Sequence, residues 1–348
     1  MTIMTIVGAR PQFIKAAPVS RALHGRHRQI LLHTGQHYDD NMSGQFFREL
    51  GLPAPDLDLG VGSGRHGEQT AAMLAGIERA MLEWRPATVI VYGDTNSTLA
   101  GALAASKLQI SIAHVEAGLR AFNRSLPEET NRIVTDHLAS QLFCPSAVSA
   151  RHLAAEGITR GVHVVGDVMA DQLAWAVACA AQSRVLERLG LSDRGYFLAT
   201  VHRAGTVADP AALDRIMRAL EQLDAPVVFP VHPRTRTALT AAGLEPRANV
   251  TLVEPAGYLD MIRLQQGARA ILTDSGGMQK EAYWLRVPCV TMRDETEWDE
   301  TVSAGWNTLA GTETDRIIEA VRTLTPPAAH PPIYGSAGAA ARIVELLA

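Results

Sequence analysis

TVIVYGDTNSTLAGALAASKL, residues 88–108, decides the fold. Its first five residues are β-branched or aromatic, and both faces of such a run are apolar. That pattern suits a strand buried inside a parallel sheet rather than one with a wet face. Gly93 permits a sharp turn, and the Ala- and Leu-rich stretch to Leu108 reads as a helix. The unit leaves a carboxylate, Asp94, at the end of an apolar strand.

The same scheme repeats outward in both directions. Residues 3–7 form a strand, followed by Gly8 and a helix-like stretch containing Phe13, Ile14, Ala17 and Leu23. Strands follow at 29–33, 110–115 and 162–165, and then at 196–201, 226–231, 250–253, 270–273 and 287–292. Helical stretches such as 211–223 lie between them. The alternation predicts an α/β protein of two doubly wound, Rossmann-like domains facing each other across a cleft. The expected N-terminal domain is 1–167 and the second is 168–334. The segment PPAAHPP, 326–332, is a stiff extended connector, and a helix within 335–348 is expected to pack back on the first domain.

Composition narrows the function classes. The 348 residues are 47% hydrophobic and 20% charged, which suits folded domains rather than a disordered chain. A formal net charge of −4 and a pI of about 6.3 argue against a general nucleic-acid or anionic-membrane binder. Cys144, Cys179 and Cys289 are far apart and form no CxxC pair, so no disulfide framework is expected. The start, MTIMTIVGARPQF, lacks the pattern of a signal peptide, and the longest apolar run, 173–181, is too short for a membrane span. A cytoplasmic protein with no membrane and no nucleic-acid partner is expected.

Ligands of open α/β sheets bind beyond the carboxyl ends of the strands, so polar residues there are the site candidates. In GARPQFIK, Arg10 and Lys15 stand near a helix start opened by Gly8 and Pro11, a plausible anion site. In DSGGMQKEA, Ser275, Gly276 and Gly277 open a helix with no bulky side chain, so backbone N–H groups can approach a phosphate. Glu281, one turn on, is placed to accept from ribose hydroxyls. Asp94, Glu116 and Glu128 (with Glu129 beside it and Arg132 one turn on) are carboxylates in adjacent strand-end segments. Neighbouring carboxylates push one another's pKa apart, which suits acid and base roles. His202-Arg203 and His232 follow two strands of the second half and are expected to face the cleft. Each has a plainer reading as a cap, an ion pair or a solvated charge; the concentration at strand ends favours a site.

Two other patterns carry less. Residues 62–67, GSGRHG, match GxGxxG but are read as lying outside a strand-to-helix turn that opens a β-α-β unit, so they do not indicate a dinucleotide. A loop over the cleft fits them better. His33 and His37 are four apart with no third ligand, so no metal is expected.

With these residues in hand, the chain resembles the non-hydrolysing UDP-N-acetylglucosamine 2-epimerases nearly end to end. The shared motifs are GARPQFIKAAP (8–18), GQHYD (35–39), YGDTNSTLAGALAA (92–105), HVEAGLR (114–120) and PEETNR (127–132). HR (202–203), DSGGMQKEA (274–282), RDETEW (293–298) and GWNTLAG (305–311) follow. The resemblance implies a glycosyltransferase-B-like fold, a homodimer, a UDP-sugar substrate and no cofactor. It implies that Asp94, Glu116, Glu128 and His202 are catalytic. It also implies that Arg10, Ser275, Gly276, Gly277 and Glu281 hold UDP, and that Lys15 and Arg132 stand in the active site. Arg203 and His232 join the binding set as strand-end residues of the second domain.

The chain departs from the family in places. Ala204, Gly205 and Thr206 follow His-Arg where an acidic residue and Asn are usual. Gln36-His37-Tyr38-Asp39 stands where activator-binding members carry Gln-His-Arg. Thr296-Glu297-Trp298 and Gly166-Asp167-Val168-Met169 resemble a branch that includes epimerases of UDP-2,3-diacetamido-glucuronate.

The expected reaction is C2 epimerisation of a UDP-N-acetylamino sugar, UDP-N-acetylglucosamine to the manno isomer. The expected route eliminates UDP to a 2-acetamidoglucal and adds it back, because the C2 hydrogen has no adjacent carbonyl. The alternatives are the same reaction on UDP-2,3-diacetamido-glucuronate, a UDP-sugar glycosyltransferase, a hydrolysing epimerase and a non-catalytic UDP-sugar sensor. A glycosyltransferase needs an acceptor and a hydrolysing enzyme releases free sugar, so products from UDP-sugar alone separate these.

Overall fold

The computed structural model describes residues 1–36, 43–247 and 249–347. The chain divides into two compact units, Met1–Trp175 with Tyr334–Ala348, and Ala176–Ile333.

In the first unit the elements are β1 (Thr2–Val7), α1 (Arg10–Leu23), β2 (Arg28–His33), α2 (Ser43–Leu50), β3 (Leu57–Asp58), α3 (His66–Trp84) and β4 (Thr88–Tyr92). Then come α4 (Asn96–Lys107), β5 (Ser111–Val115), α5 (Pro127–Leu138), β6 (Gln141–Cys144), α6 (Ala147–Ala155) and β7 (Val162–Val164), with α7 (Val168–Ala180) leading out. The seven strands lie in the order β3-β2-β1-β4-β5-β6-β7, and every pairing is parallel. The order reverses between β1 and β4, which is where doubly wound sheets open a crevice at their carboxyl ends. All five residues of β4 are buried. Val89 and Val91 pack with Met4, Ile6, Ile77 and Ala104 on one face of the sheet.

The second unit continues with α8 (Val185–Arg188), β8 (Phe197–Thr200), α9 (Ala204–Val207), α10 (Pro210–Glu221), β9 (Val227–Pro230), α11 (Pro233–Ala241) and β10 (Val250–Val253). It closes with α12 (Tyr258–Gly267), β11 (Ala270–Thr273), α13 (Gly276–Trp284), β12 (Cys289–Thr291), α14 (Asp299–Ser303), β13 (Asn307–Leu309) and α15 (Thr314–Thr323). Its parallel sheet runs β10-β9-β8-β11-β12-β13. Phe197 and Ala199 pack on one face with Phe229, Ile216 and Ile317, while Tyr196 and Leu198 pack on the other with Leu264 and Ile271. Burial on both faces is why these strands show no polar alternation.

The last helix, α16 (Ala339–Leu346), belongs to the first unit and packs against α1. Asp171 caps its start, accepting from Gly338 N at 2.7 Å and Ala339 N at 3.1 Å.

Three strands, β3, β6 and β13, are additional to those read from sequence. They span two to four residues, and Gln141–Cys144 holds no β-branched residue, so the pattern is too brief to register. One reading is corrected. The GSGRHG segment does lead from a strand, β3, into a helix, α3. That strand is an edge pair of residues, and a Cβ at Gly62, Gly64 or Gly67 would meet no atom within 4 Å. The close packing that a dinucleotide fingerprint requires of its glycines is therefore missing here. Among the described residues no helix is long and apolar enough to cross a membrane.

Candidate active site

In the first unit the candidates collect beside the β1/β4 switch. The β1–α1 turn is tight because a Cβ at Gly8 would lie 2.0 Å from Thr34 Oγ1 and 2.2 Å from Ser97 Oγ. Gln12 closes that turn. Its Oε1 accepts from Gly8 N at 2.8 Å and Ala9 N at 3.2 Å, and its Nε2 donates to the Tyr92 carbonyl at 3.0 Å. The turn after β1 is thus tied to the end of β4. Arg10 is exposed at the first residue of α1, and Lys15 lies inward from it.

Lys15 Nζ forms an ion pair with Glu116, and the two side chains are 12% and 11% exposed. Burial works against the Lys15 charge, but the Glu116 and Asp94 carboxylates outweigh it and raise its pKa above the ordinary value. Lys15 is therefore a permanent cation at neutral pH. Gly93, at φ +62°, borders this pair, for a Cβ there would lie 3.1 Å from Lys15 Nζ and 3.2 Å from Glu116 Oε2. Glu116 has φ +74°, a left-handed conformation that costs a non-glycine residue about 1–2 kcal/mol.

The second ion pair joins Arg132 to Asp94. Arg132 also donates to Glu129 Oε2 at 2.9 Å. Asn131 Nδ2 donates to the Asp94 carbonyl at 2.9 Å, so α5 holds the β4–α4 turn by side chain and backbone. Glu129 is buried and accepts from Ala121 N and Phe122 N, both at 2.9 Å. Burial opposes its charge, yet these N–H groups and Arg132 bring its carboxyl below the usual range. Glu128, its neighbour, is exposed in the first turn of α5.

In the second unit the candidates sit at the ends of β8, β9 and β11. Ser275 is the N-cap residue of α13, and Gly276 and Gly277 form its first turn. Asp274, fully buried, accepts from His202 N at 3.1 Å and Arg203 N at 2.9 Å, joining the β8 end to the β11 end. His202 itself is half exposed, with Nδ1 3.8 Å from Asp274. Arg203 donates to Glu297 at 3.0 Å, and Arg293 grips the same carboxylate with two bonds of 3.0 Å. Partial burial opposes the Glu297 charge, but Arg293 and Arg203 bring its pKa to about 2. A Cβ at Gly276 would come within 3.3 Å of Glu297 Oε2 and Trp298 Nε1, so this cluster lies against the opening of α13. His232 is the N-cap of α11, its Nδ1 accepting from Arg234 N at 3.2 Å. Glu281 accepts from Gln265 Nε2 at 2.7 Å.

The structure therefore brings together Lys15, Asp94, Glu116 and Arg132 in one unit, and His202, Arg203, Ser275 and Gly276 in the other. Glu281 and His232 have local partners of their own. His37, Tyr38 and Asp39 lie outside the described residues. Among the described residues no group of three His, Cys, Asp or Glu side chains is placed to hold a metal ion.

Comparison with known proteins fits this geometry. A family profile described as UDP-N-acetylglucosamine 2-epimerase matches residues 21–348. The chain belongs to the UDP-N-acetylglucosamine 2-epimerase family. These enzymes are isomerases. Two relatives are each 48% identical over the whole chain and 99% of their own length. One is the UDP-N-acetylglucosamine 2-epimerase homolog of Methanococcus maripaludis. The other is the UDP-2,3-diacetamido-2,3-dideoxy-D-glucuronate 2-epimerase of Pseudomonas aeruginosa. Among solved structures, the Methanocaldococcus jannaschii UDP-GlcNAc 2-epimerase in complex with UDP-GlcNAc and UDP superposes with a TM-score of 0.89. It is 41% identical, with 100% of this chain and 99% of that one covered. The fold is the glycosyltransferase-B-like α/β pair expected.

Four residues that contact this candidate site were not singled out from sequence. Gln12 and Asp274 were inside quoted motifs, but nothing in the pattern shows that they tie two strand ends together. Asp136 lies in none of the quoted motifs, and Glu297 stands only inside RDETEW and the branch-marking residues 296–298. The available signal was a carboxylate or amide flanked by apolar core residues, which must find partners when buried.

Proposed function

We propose that the chain inverts C2 of a UDP-N-acetylamino sugar, taking UDP-N-acetylglucosamine to its manno isomer without hydrolysis. The observation that carries this reading is the pair of carboxylates, Asp94 and Glu116, at the ends of adjacent strands β4 and β5, each joined to a cation. A carboxylate at a strand end takes the C2 proton, the C1–O bond breaks, and UDP leaves with the electron pair. The product is a 2-acetamidoglucal with a C1=C2 double bond. A second acid returns a proton to C2 on the opposite face as a UDP oxygen re-forms the C1 bond. Asp94, Glu116 and Glu128 share the proton transfers. Arg10, Lys15, Arg132, Arg203 and the N–H groups of Ser275, Gly276 and Gly277 stabilise the departing diphosphate. His202 acts with the catalytic carboxylates from the β8 end, His232 contacts the nucleotide from the β9 end, and Glu281 receives the ribose. The family resemblance supports a homodimer as the working form.

A second substrate, UDP-2,3-diacetamido-glucuronate, is supported by the 48% identity with the Pseudomonas enzyme, which equals that with the Methanococcus UDP-N-acetylglucosamine 2-epimerase homolog. One experiment tests both the reaction and the choice. Each UDP-sugar is incubated in deuterated water, and the products are read by NMR. The manno isomer should appear without acceptor and carry one deuterium at C2. Epimerisation with protium retained at C2 refutes the elimination route.

A further inference from the structure

Beneath the ends of β4 and β5 lies a charged network with no part in the chemistry above. His114 and Asp136 are both 0% exposed, and Nδ1 of His114 lies 2.7 Å from Asp136 Oδ1. The other ring nitrogen, Nε2, is 2.8 Å from the carbonyl oxygen of Gly93. Asp136 Oδ2 accepts from Gly118 N at 3.1 Å and from Arg120 Nη1 at 2.7 Å. Arg120 in turn grips Glu156 with bonds of 2.7 and 2.8 Å.

The donors and acceptors can be balanced. A carbonyl oxygen only accepts, so Nε2 must carry a proton to lie 2.8 Å from it. Burial raises the carboxyl pKa of Asp136, but His114 and Arg120 outweigh burial and bring it below the ordinary value. Asp136 takes His114 on one oxygen and Gly118 N with Arg120 on the other, so both carboxyl oxygens are occupied.

The location gives this network its use. His114 pairs with Val91 across β4 and β5, so its ring reaches the peptide that leads into Asp94. It also stands two residues before Glu116, while Gly118, held by Asp136, stands two residues after. Between them Glu116 N and Ala117 N both donate to the Phe143 carbonyl at 3.1 Å. The left-handed Glu116 is thus fixed on both sides.

We propose that His114 and Asp136 are positioning residues for the reaction. The His114 ring bridges the Gly93 carbonyl to Asp136, and Asp136 holds the turn after Glu116, so that Asp94 and Glu116 keep a fixed separation. The proposal rests on the reading that these two carboxylates exchange the C2 proton. A fixed frame matters because displacement of a reacting group by about 1 Å costs about 100-fold in rate.

The test uses the full chain with whichever UDP-sugar the wild type turns over. His114→Gln and Asp136→Asn should each lower kcat by about 100-fold. KM should stay within about threefold, because sugar-nucleotide binding is not what the network sets. Rates are taken per folded protein, measured by near-UV circular dichroism, so that a loss of folded enzyme does not count. Unchanged kcat per folded protein, or a KM rise with kcat intact, overturns the proposal. If the variants do not fold, 15N NMR of histidine-labelled wild type decides. His114 Nε2 should carry a proton directed at the Gly93 carbonyl, and a bare Nε2 overturns the proposal. If the wild type turns over neither UDP-sugar, the proposed function fails, and the NMR result still judges the bridge independently.

Discussion

Replacing Lys15 with Met tests whether the Lys15–Glu116 pair is a working part of the fold. Both side chains are nearly buried, at 12% and 11% exposure. Removing one partner of a buried pair costs about 3–5 kcal/mol, because the remaining charge is left without compensation. Asp94 adds to the Lys15 interaction, so the upper part of that range applies. The Lys15→Met/Glu116→Gln double variant removes both charges and should recover about 1–3 kcal/mol relative to the sum of the single losses. Urea unfolding followed by fluorescence, with Trp284, Trp298 and Trp306 of the second unit replaced by Phe so that only Trp84 and Trp175 report, measures each value. The pH dependence has a definite sign. Lys15 has a folded-state pKa above its ordinary 10.5, so its contribution is fully present below 10.5 and is lost as pH rises through the folded value. The stability gap between wild type and Lys15→Met should therefore narrow only in strong alkali. If the single losses add to within about 0.5 kcal/mol in the double variant, the two groups do not interact in solution and the reasoning fails.

Glu297, with its pKa reduced from 4.5 to about 2, contributes stability that is present above pH 4.5 and lost as pH falls toward 2. Glu297→Gln should flatten the acid limb of the stability curve over that window, read by thermal melts at several pH values. Gly8→Ala places a methyl 2.0 Å from Thr34 Oγ1 in a packed turn. Overpacking of this kind costs about 1–3 kcal/mol, visible as a lower urea midpoint. Asp94→Asn should lower kcat by about 100-fold or more while calorimetry still shows UDP binding, since a proton-transfer group is lost and the second-unit N–H groups are untouched.

Legibility followed the physics of burial. Residues 88–92 announced β4 because a central parallel strand is apolar on both faces, and all five are buried. The short strands β3 and β13 did not, because two or three residues cannot establish a period, and their pairing comes from the neighbouring strand rather than from their own side chains. The order of each sheet was legible only as a class. The alternation of strand and helix implied doubly wound units, whereas the switch points between β1 and β4 and between β8 and β11 are properties of pairing.

For the candidate site, sequence gave location and withheld partnership. Asp94 could be placed at a strand end because Tyr92 ends an apolar run, but its cation, Arg132, lies 38 residues on. Asp136 is 22 residues from His114, Asp274 is 72 from His202, and Gln12 is 80 from Tyr92. In each case the polar atom has one requirement, a partner of opposite hydrogen-bonding sense, and the fold meets it from a different strand end or from a helix packed beside it. That requirement also explains why the partnerships fall where they do. Parallel strands end together at one edge of the sheet, so their last residues and the side chains of the helices that follow lie close enough to satisfy one another. A sequence with Gln, Asp or His just past an apolar strand thus implies a cross-link between turns, even where it does not say which turn. Asp274 illustrates the gain: read as a bond from the β11 end to the next strand's turn, it leads to β8, the neighbour of β11, and so to His202 and Arg203.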